Sequence, residues 1–139
     1  MGQINWSRVV LGGLIAGLVM NVSEFIMTVP ALGTQMQAEL ARHSLPPMGG
    51  SVATFYIVMA FVVGTLTVWL YAAIRPRYGP GPQTAICAGL TVWFLGPFRS
   101  RLGHATMGVF STRLMVLAVV WGLVEMILAA LAGAWFYRE

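Results

Sequence analysis

The stretch Gly13–Met27, G-L-I-A-G-L-V-M-N-V-S-E-F-I-M, decides the fold class, and it carries a contradiction. It is apolar enough to lie in hydrocarbon, yet Asn21 and Glu24 sit inside it. A second run, Val119–Gly133 (V-V-W-G-L-V-E-M-I-L-A-A-L-A-G), repeats the pattern around Glu125. The whole chain has the same character: 58% of its 139 residues are hydrophobic and 9% are charged, with a mean hydropathy of +0.80. A soluble domain carries about 25% charged residues, so this chain could not cover its own surface in water.

Working outward from Gly13–Met27, four apolar segments come near the roughly 20 residues needed to cross hydrocarbon. They are Arg8–Leu32, Ser51–Ile74, Pro82–Phe98 and Leu114–Tyr137. Lipid supplies no partner for backbone N–H and C=O groups, so each segment reads as a helix. The expected fold is all-α: a single domain over residues 1–139, built as a four-transmembrane-helix bundle with both termini on one side. The third segment is bent or ended by Gly96-Pro97, with an extension past the proline towards Phe110. The first runs longer than the roughly 7–15-residue apolar core of a cleaved leader, which marks it as a retained helix. Between spans, Gly33–Gly50 ends in P-P-M-G-G and so is not helical throughout. Arg75–Pro82, R-P-R-Y-G-P-G-P, reads as a stiff turn.

All eight basic side chains are arginines, set against four carboxylates. Nothing gathers them into a nucleic-acid stripe, and the expected partner is the lipid bilayer. With both termini inside, Arg8, Arg75, Arg77 and Arg138 face the cytoplasm, while Arg42, Arg99, Arg101 and Arg113 face outward, which is a tie. Trp6, Trp69 with Tyr71, and Trp135 with Tyr137 mark one shared interface as an aromatic belt. The Arg-Pro-Arg turn abutting two spans places that side in the cytoplasm.

At helical spacing Gly13, Gly17, Asn21, Glu24 and Thr28 share one face of the first span. Ala118, Gly122, Glu125, Ala129 and Gly133 share one face of the last. Small residues let helix backbones approach closely, so Gly13, Gly17, Gly122 and Gly133 are candidate helix contacts and the glutamates turn inward. At about 1.5 Å per residue, Glu24 lies about 24 Å and Glu125 about 20 Å from the same side. A charged carboxylate at that depth costs about 2.5–3.5 kcal/mol on insertion scales. Protonation, pairing with an arginine (Arg113 being nearest on the approach to the last span), or a bound cation would each relieve it.

Other residues carry less. His43 and His104 have no ligand-spaced companions and read as linker residues, so no metal site is expected and the cofactor stays open. Cys87 reads as a small buried hydrophobe. The sequon Asn21-Val22-Ser23 lies within a span, out of reach of glycosylation. The methionines read as packing residues, and no phosphate-cradling loop or nucleophile elbow occurs.

Three stretches, N-W-S-R-V-V-L-G-G-L-I-A-G, Y-A-A-I-R-P-R-Y-G-P-G-P and W-G-L-V-E with G-A-W-F-Y-R-E, resemble a set of small bacterial four-span membrane proteins. That resemblance covers most of the chain and implies a bacterial inner-membrane protein; it carries no activity with it. A looser likeness is to small multidrug resistance transporters, four-span dimers with a glutamate in the first span, whose role Glu24 would match. The long first linker, the second membrane glutamate and the arginine-rich third linker depart from that pattern, which leaves it an analogy.

Two functional readings follow. In one, the protein is a non-enzymatic membrane component, an accessory subunit or homo-oligomer, in which Glu24, Glu125 and Asn21 organise helix packing. In the other it is a small transporter or channel in which Glu24 and Glu125 exchange protons against a cationic or polar solute. A pigment-, quinone- or haem-binding subunit of a larger complex is a lesser alternative.

Overall fold

A computed structural model describes residues 4–137, the side chain of Ala31 excepted. Arg138, used above in the charge balance, lies outside the described residues, as does Glu139. Every element among them is helical: α1 (Trp6–Ile26), α2 (Gly33–Arg42), α3 (Gly50–Tyr78), α4 (Pro82–Trp93), α5 (Arg99–Thr106) and α6 (Thr112–Phe136). Three helices are long and apolar enough to cross a membrane, Trp6–Pro30, Gly50–Tyr78 and Thr112–Phe136, so the chain is a membrane-embedded helical protein. The third expected segment is helical and is interrupted at Gly96-Pro97. It runs as α4, a π-helical turn over Phe94–Phe98 and then α5, helical from Pro82 to Thr106.

Asn5 starts α1 as its N-cap, its side chain accepting from the Arg8 N–H at 3.2 Å. Ser111 caps α6 in the same way through Leu114 N. Three prolines fall inside helical runs; Pro76 lies in the last turn of α3, and the other two coincide with π turns, Pro30 in Met27–Leu32 and Pro97 in Phe94–Phe98. Proline has no N–H to offer the carbonyl four residues back and its ring crowds that carbonyl, so the helix widens there. In this way α1 carries on into α2, which places a helix in the first half of the Gly33–Gly50 linker; His43–Gly49 are non-helical. The expected Arg75–Pro82 turn is shorter in fact. Helix α3 continues through Arg75, Pro76 and Arg77, and the reversal falls on Gly79 (φ 83°) and Gly81 (φ 139°). Both angles lie where a side chain would be strained.

Helices α1 and α4 each pack against both α3 and α6. Glycines set the spacing. A Cβ on Gly64 of α3 would stand 2.6 Å from Gly17 N and 2.7 Å from Gly13 O, and one on Gly17 would stand 2.7 Å from Phe61 Cα. Between α1 and α6, a Cβ on Gly12 would fall 2.5 Å from Gly133 O. On the other flank Gly89 of α4 meets the Ala130 Cβ of α6. Gly13, Gly17 and Gly133 are thus at helix contacts, joined by Gly12, Gly64 and Gly89.

Two apolar clusters fill the interior. The larger contains Val9, Ala16, Met20, Val68, Tyr71, Ala72, Met126, Ala129 and Tyr137. The smaller, Met27, Leu32, Leu114, Met115 and Ala118, lies where the first π turn meets the start of α6. Tyr71 and Tyr137, read above as interface anchors, are buried: their rings meet edge to face at 5.9 Å, and the Arg75 guanidinium lies 5.6 Å from the Tyr137 centroid. Their hydroxyls accept from Gly81 N and Asn5 N, each at 3.3 Å. Trp6, Trp69 and Trp135 remain on the outside. Cys87 also lies outside, exposed on α4, because Thr84, Ala85, Ala88 and Gly89 take the inward face.

Candidate functional site

Along α1 the inward positions pass from Met20 in the larger cluster to Met27 in the smaller, and along α6 from Met126 to Ala118. Between these limits α1 brings Ser23 and Glu24 and α6 brings Gly122 and Glu125 to their interface, with Trp121, itself exposed, at its rim. A polar layer therefore lies between the two apolar clusters.

Arg101 reaches this layer from α5. Its Nη2 stands 3.4 Å from Glu24 Oε1, an ion pair whose partners keep 20% and 43% of their side-chain exposure. The sequence had pointed to Arg113, but that residue is exposed in the first turn of α6. The helix continues past Pro97 and puts Arg101 one turn beyond it, against α6. The role of Gly122 changes with this. A Cβ there would collide with Arg101 Nη1, so Gly122 admits a guanidinium where Gly12 and Gly133 admit a backbone.

Glu125 is the most enclosed of the group at 6% exposure. Its electrostatic surroundings are Glu24, Ser23 and Arg101, so the structure brings the two membrane glutamates into one site. Its Oε2 is buried without a hydrogen-bond partner, and so is Arg101 Nη1. Orphaned buried polar atoms are uncommon because each forfeits its hydration for nothing. The Trp121 indole N–H donates to Ser23 Oγ at 3.0 Å, clasping α6 to α1 beside the carboxylates. Asn21 does not join them. Its Nδ2 donates to Gly17 O at 3.0 Å and to Ile57 O at 3.3 Å, tying α1 to α3.

Sequence reasoning missed Arg101, Ser23 and Trp121 as members of the site. Trp121 was legible in principle, since it precedes Glu125 by four residues on the same helical face. Ser23 adjoins Glu24 in sequence, and Arg101 follows a proline that does not end its helix.

A second polar group lies on α2 and the loop before α6. Ser111 N donates to Glu39 Oε2 at 2.6 Å, and these hydrogen bonds from Ser111 hold the Glu39 carboxyl below the usual carboxylate range. Glu39, Arg42 and His43 line an open cleft of about 180 Å³ with Gly108–Ser111. His104 instead packs on Phe110, ring centroids 6.3 Å apart. Among the described residues no three metal-ligating side chains come together.

No family model, no curated protein and no solved structure matches the chain.

Proposed function

We propose that the protein is a small non-enzymatic component of the bacterial inner membrane, crossing it four times with both termini in the cytoplasm. In this reading it is an accessory subunit or homo-oligomer whose acidic pair, the buried Glu125 and the part-exposed Glu24, organises helix packing. The observation that carries it is the Arg101–Glu24 ion pair seated on Gly122, which joins α1, α5 and α6 through one guanidinium. The fourth crossing would be the unbroken helical run from Pro82, packed along α3 and α6. The same-side termini are supported by the Asn5 N–Tyr137 OH contact. The bacterial membrane rests on the resemblance noted in the sequence.

One observation favours a second reading, proton- or cation-coupled transport: the orphaned Oε2 of Glu125 beside Glu24. Glutamine keeps the shape and hydrogen-bonding capacity of glutamate but cannot carry a proton or a charge. In proteoliposomes under a pH gradient, Glu24→Gln and Glu125→Gln are expected to keep assembly and alter no flux. A cation flux present in the wild type and abolished in either variant would replace the packing reading with transport.

A further inference from the structure

The fit of Arg101 in the polar layer is incomplete in a specific way. Its guanidinium supplies one positive charge beside two carboxylates, yet leaves its own Nη1 and Glu125 Oε2 without partners. The Glu24 contact, at 3.4 Å, is long for a hydrogen bond from nitrogen to oxygen, which centres near 2.9–3.0 Å. The helix that delivers it is short: α5 packs chiefly on the π turn before it and on α6, and no residue of it is buried. The receiving site is by contrast built in. Gly122 leaves the space, Glu125 is enclosed, and the Trp121–Ser23 hydrogen bond clasps its wall. A guanidinium held from outside reaches Glu24 but leaves its Nη1 and the Glu125 Oε2 unpaired. A free cation of similar chemistry could address both carboxylates.

We propose that Ser23, Glu24, Trp121 and Glu125 form a membrane-embedded site for a small monovalent cation bearing N–H donors, and that Arg101 occupies it as a tethered competitor. The proposal goes beyond the packing reading and requires no flux. Two carboxylates select positive charge, the orphaned Oε2 selects a hydrogen-bond donor, and the notch at Gly122 limits size to about that of a guanidinium group.

The test removes the tether from the full-length protein in detergent and supplies the cation from solution. Methylguanidinium chloride at low millimolar concentration is the probe, with sodium chloride at equal ionic strength as control. In Arg101→Ala it is expected to raise the melting temperature saturably, since a ligand that binds only the folded state stabilises it. The wild type should show little shift, and Arg101→Ala combined with Glu24→Gln and Glu125→Gln should show none. A second variant, Arg101→Gln, keeps side-chain length and is read through tryptophan fluorescence, where a saturable change should disappear on adding Trp121→Phe. Absence of a saturable response in both arginine variants overturns the proposal. So does an equal response in the wild type or in the variant lacking both glutamates. Failure of both arginine variants to fold also overturns it, because a displaceable competitor is not required for the fold.

Discussion

Toward the chain ends, helices α1, α3 and α6 meet backbone against backbone: Gly12 on Gly133, and Gly13 and Gly17 on Gly64. Around them are Val9, Ala16, Val68 and Ala129, all nearly or wholly inaccessible, and the paired Tyr71 and Tyr137 rings. Past Met20 and Met126 the same two outer helices behave differently. They hold Ser23, Glu24, Trp121 and Glu125 between them, an arginine enters from α5, and both proline-associated π turns lie nearby along the chain. Glycine occurs in both regions on faces that look alike in sequence, yet at Gly133 the absent side chain makes room for a carbonyl and at Gly122 for a cation. The contrast follows from what lipid allows. Helices in hydrocarbon gain from close van der Waals approach, which small residues permit. Where a charge must be kept there, the same saving in volume is spent on its counter-ion.

The hardest blow to this comparison would come from the close-packed region. Gly13→Leu puts a side chain onto Thr65 of α3, where even a Cβ would lie 2.5 Å from Thr65 Cα. It is expected to cost about 1–3 kcal/mol or more, as overpacking does, whereas Gly103→Leu on α5, where a Cβ meets nothing within 4 Å, should cost little. Denaturation by SDS in mixed micelles measures both, and equal losses would dissolve the distinction between the two regions.

A smaller effect sharpens the boundary between them. Asn21 lies one residue after the last position of the larger core and ties α1 to α3 through Ile57 O. Replacing it by leucine should cost about 0.6 kcal/mol, the average for interhelical hydrogen bonds in lipid. It should leave a Trp121 fluorescence signal untouched, because Asn21 does not touch the Glu24–Arg101–Glu125 group. A spectral change as large as that of Glu24→Gln would place Asn21 in the site after all.

The smallest effect lies outside the spans. The Glu39 carboxyl titrates below its ordinary value because it accepts from Ser111. A depressed folded-state pKa means that the ionised contact stabilises docking of the 108–111 loop fully above the unfolded value. That contribution is lost as pH falls through the folded value, below 4.5. Hydrogen exchange at the Ser111 amide should therefore lose protection, relative to neighbouring amides, as pH is lowered from neutrality into that range. Glu39→Gln should remove the pH dependence, while exchange at Glu125 and its neighbours stays as it was.

Helix was the only backbone option in these apolar runs; Thr112–Phe136 falls close to the expected Leu114–Tyr137, whereas α1 (Trp6–Ile26) gives way to a π turn before the expected end at Leu32. The inward faces of α1 and α6 were readable because 3.6-residue spacing aligned small residues with carboxylates. The third segment was not readable to the same degree. Gly96-Pro97 left a bend, an end or an extension towards Phe110 open, and the structure shows the helix continuing through a π turn to Thr106 with Arg101 one turn beyond the proline, packed on α6. Arg113 was the nearer arginine along the chain, but nearness in sequence says nothing about a partner 77 residues away, as Arg101 is from Glu24. Tyr71 and Tyr137 were misread for a related reason: amphipathic rings suit both a membrane interface and a buried corner with hydroxyl partners.

The amino-acid sequence by itself determined that this chain is helical, that it belongs in lipid, and that two acidic side chains must be sheltered there. These are consequences of composition and of the backbone's need to satisfy its own polar groups without water. Which cation shelters them was decided only by the tertiary structure. That choice depends on how a proline-widened helix turns one arginine towards a glycine on a distant helix, and such a relation between remote segments leaves no local periodicity to read.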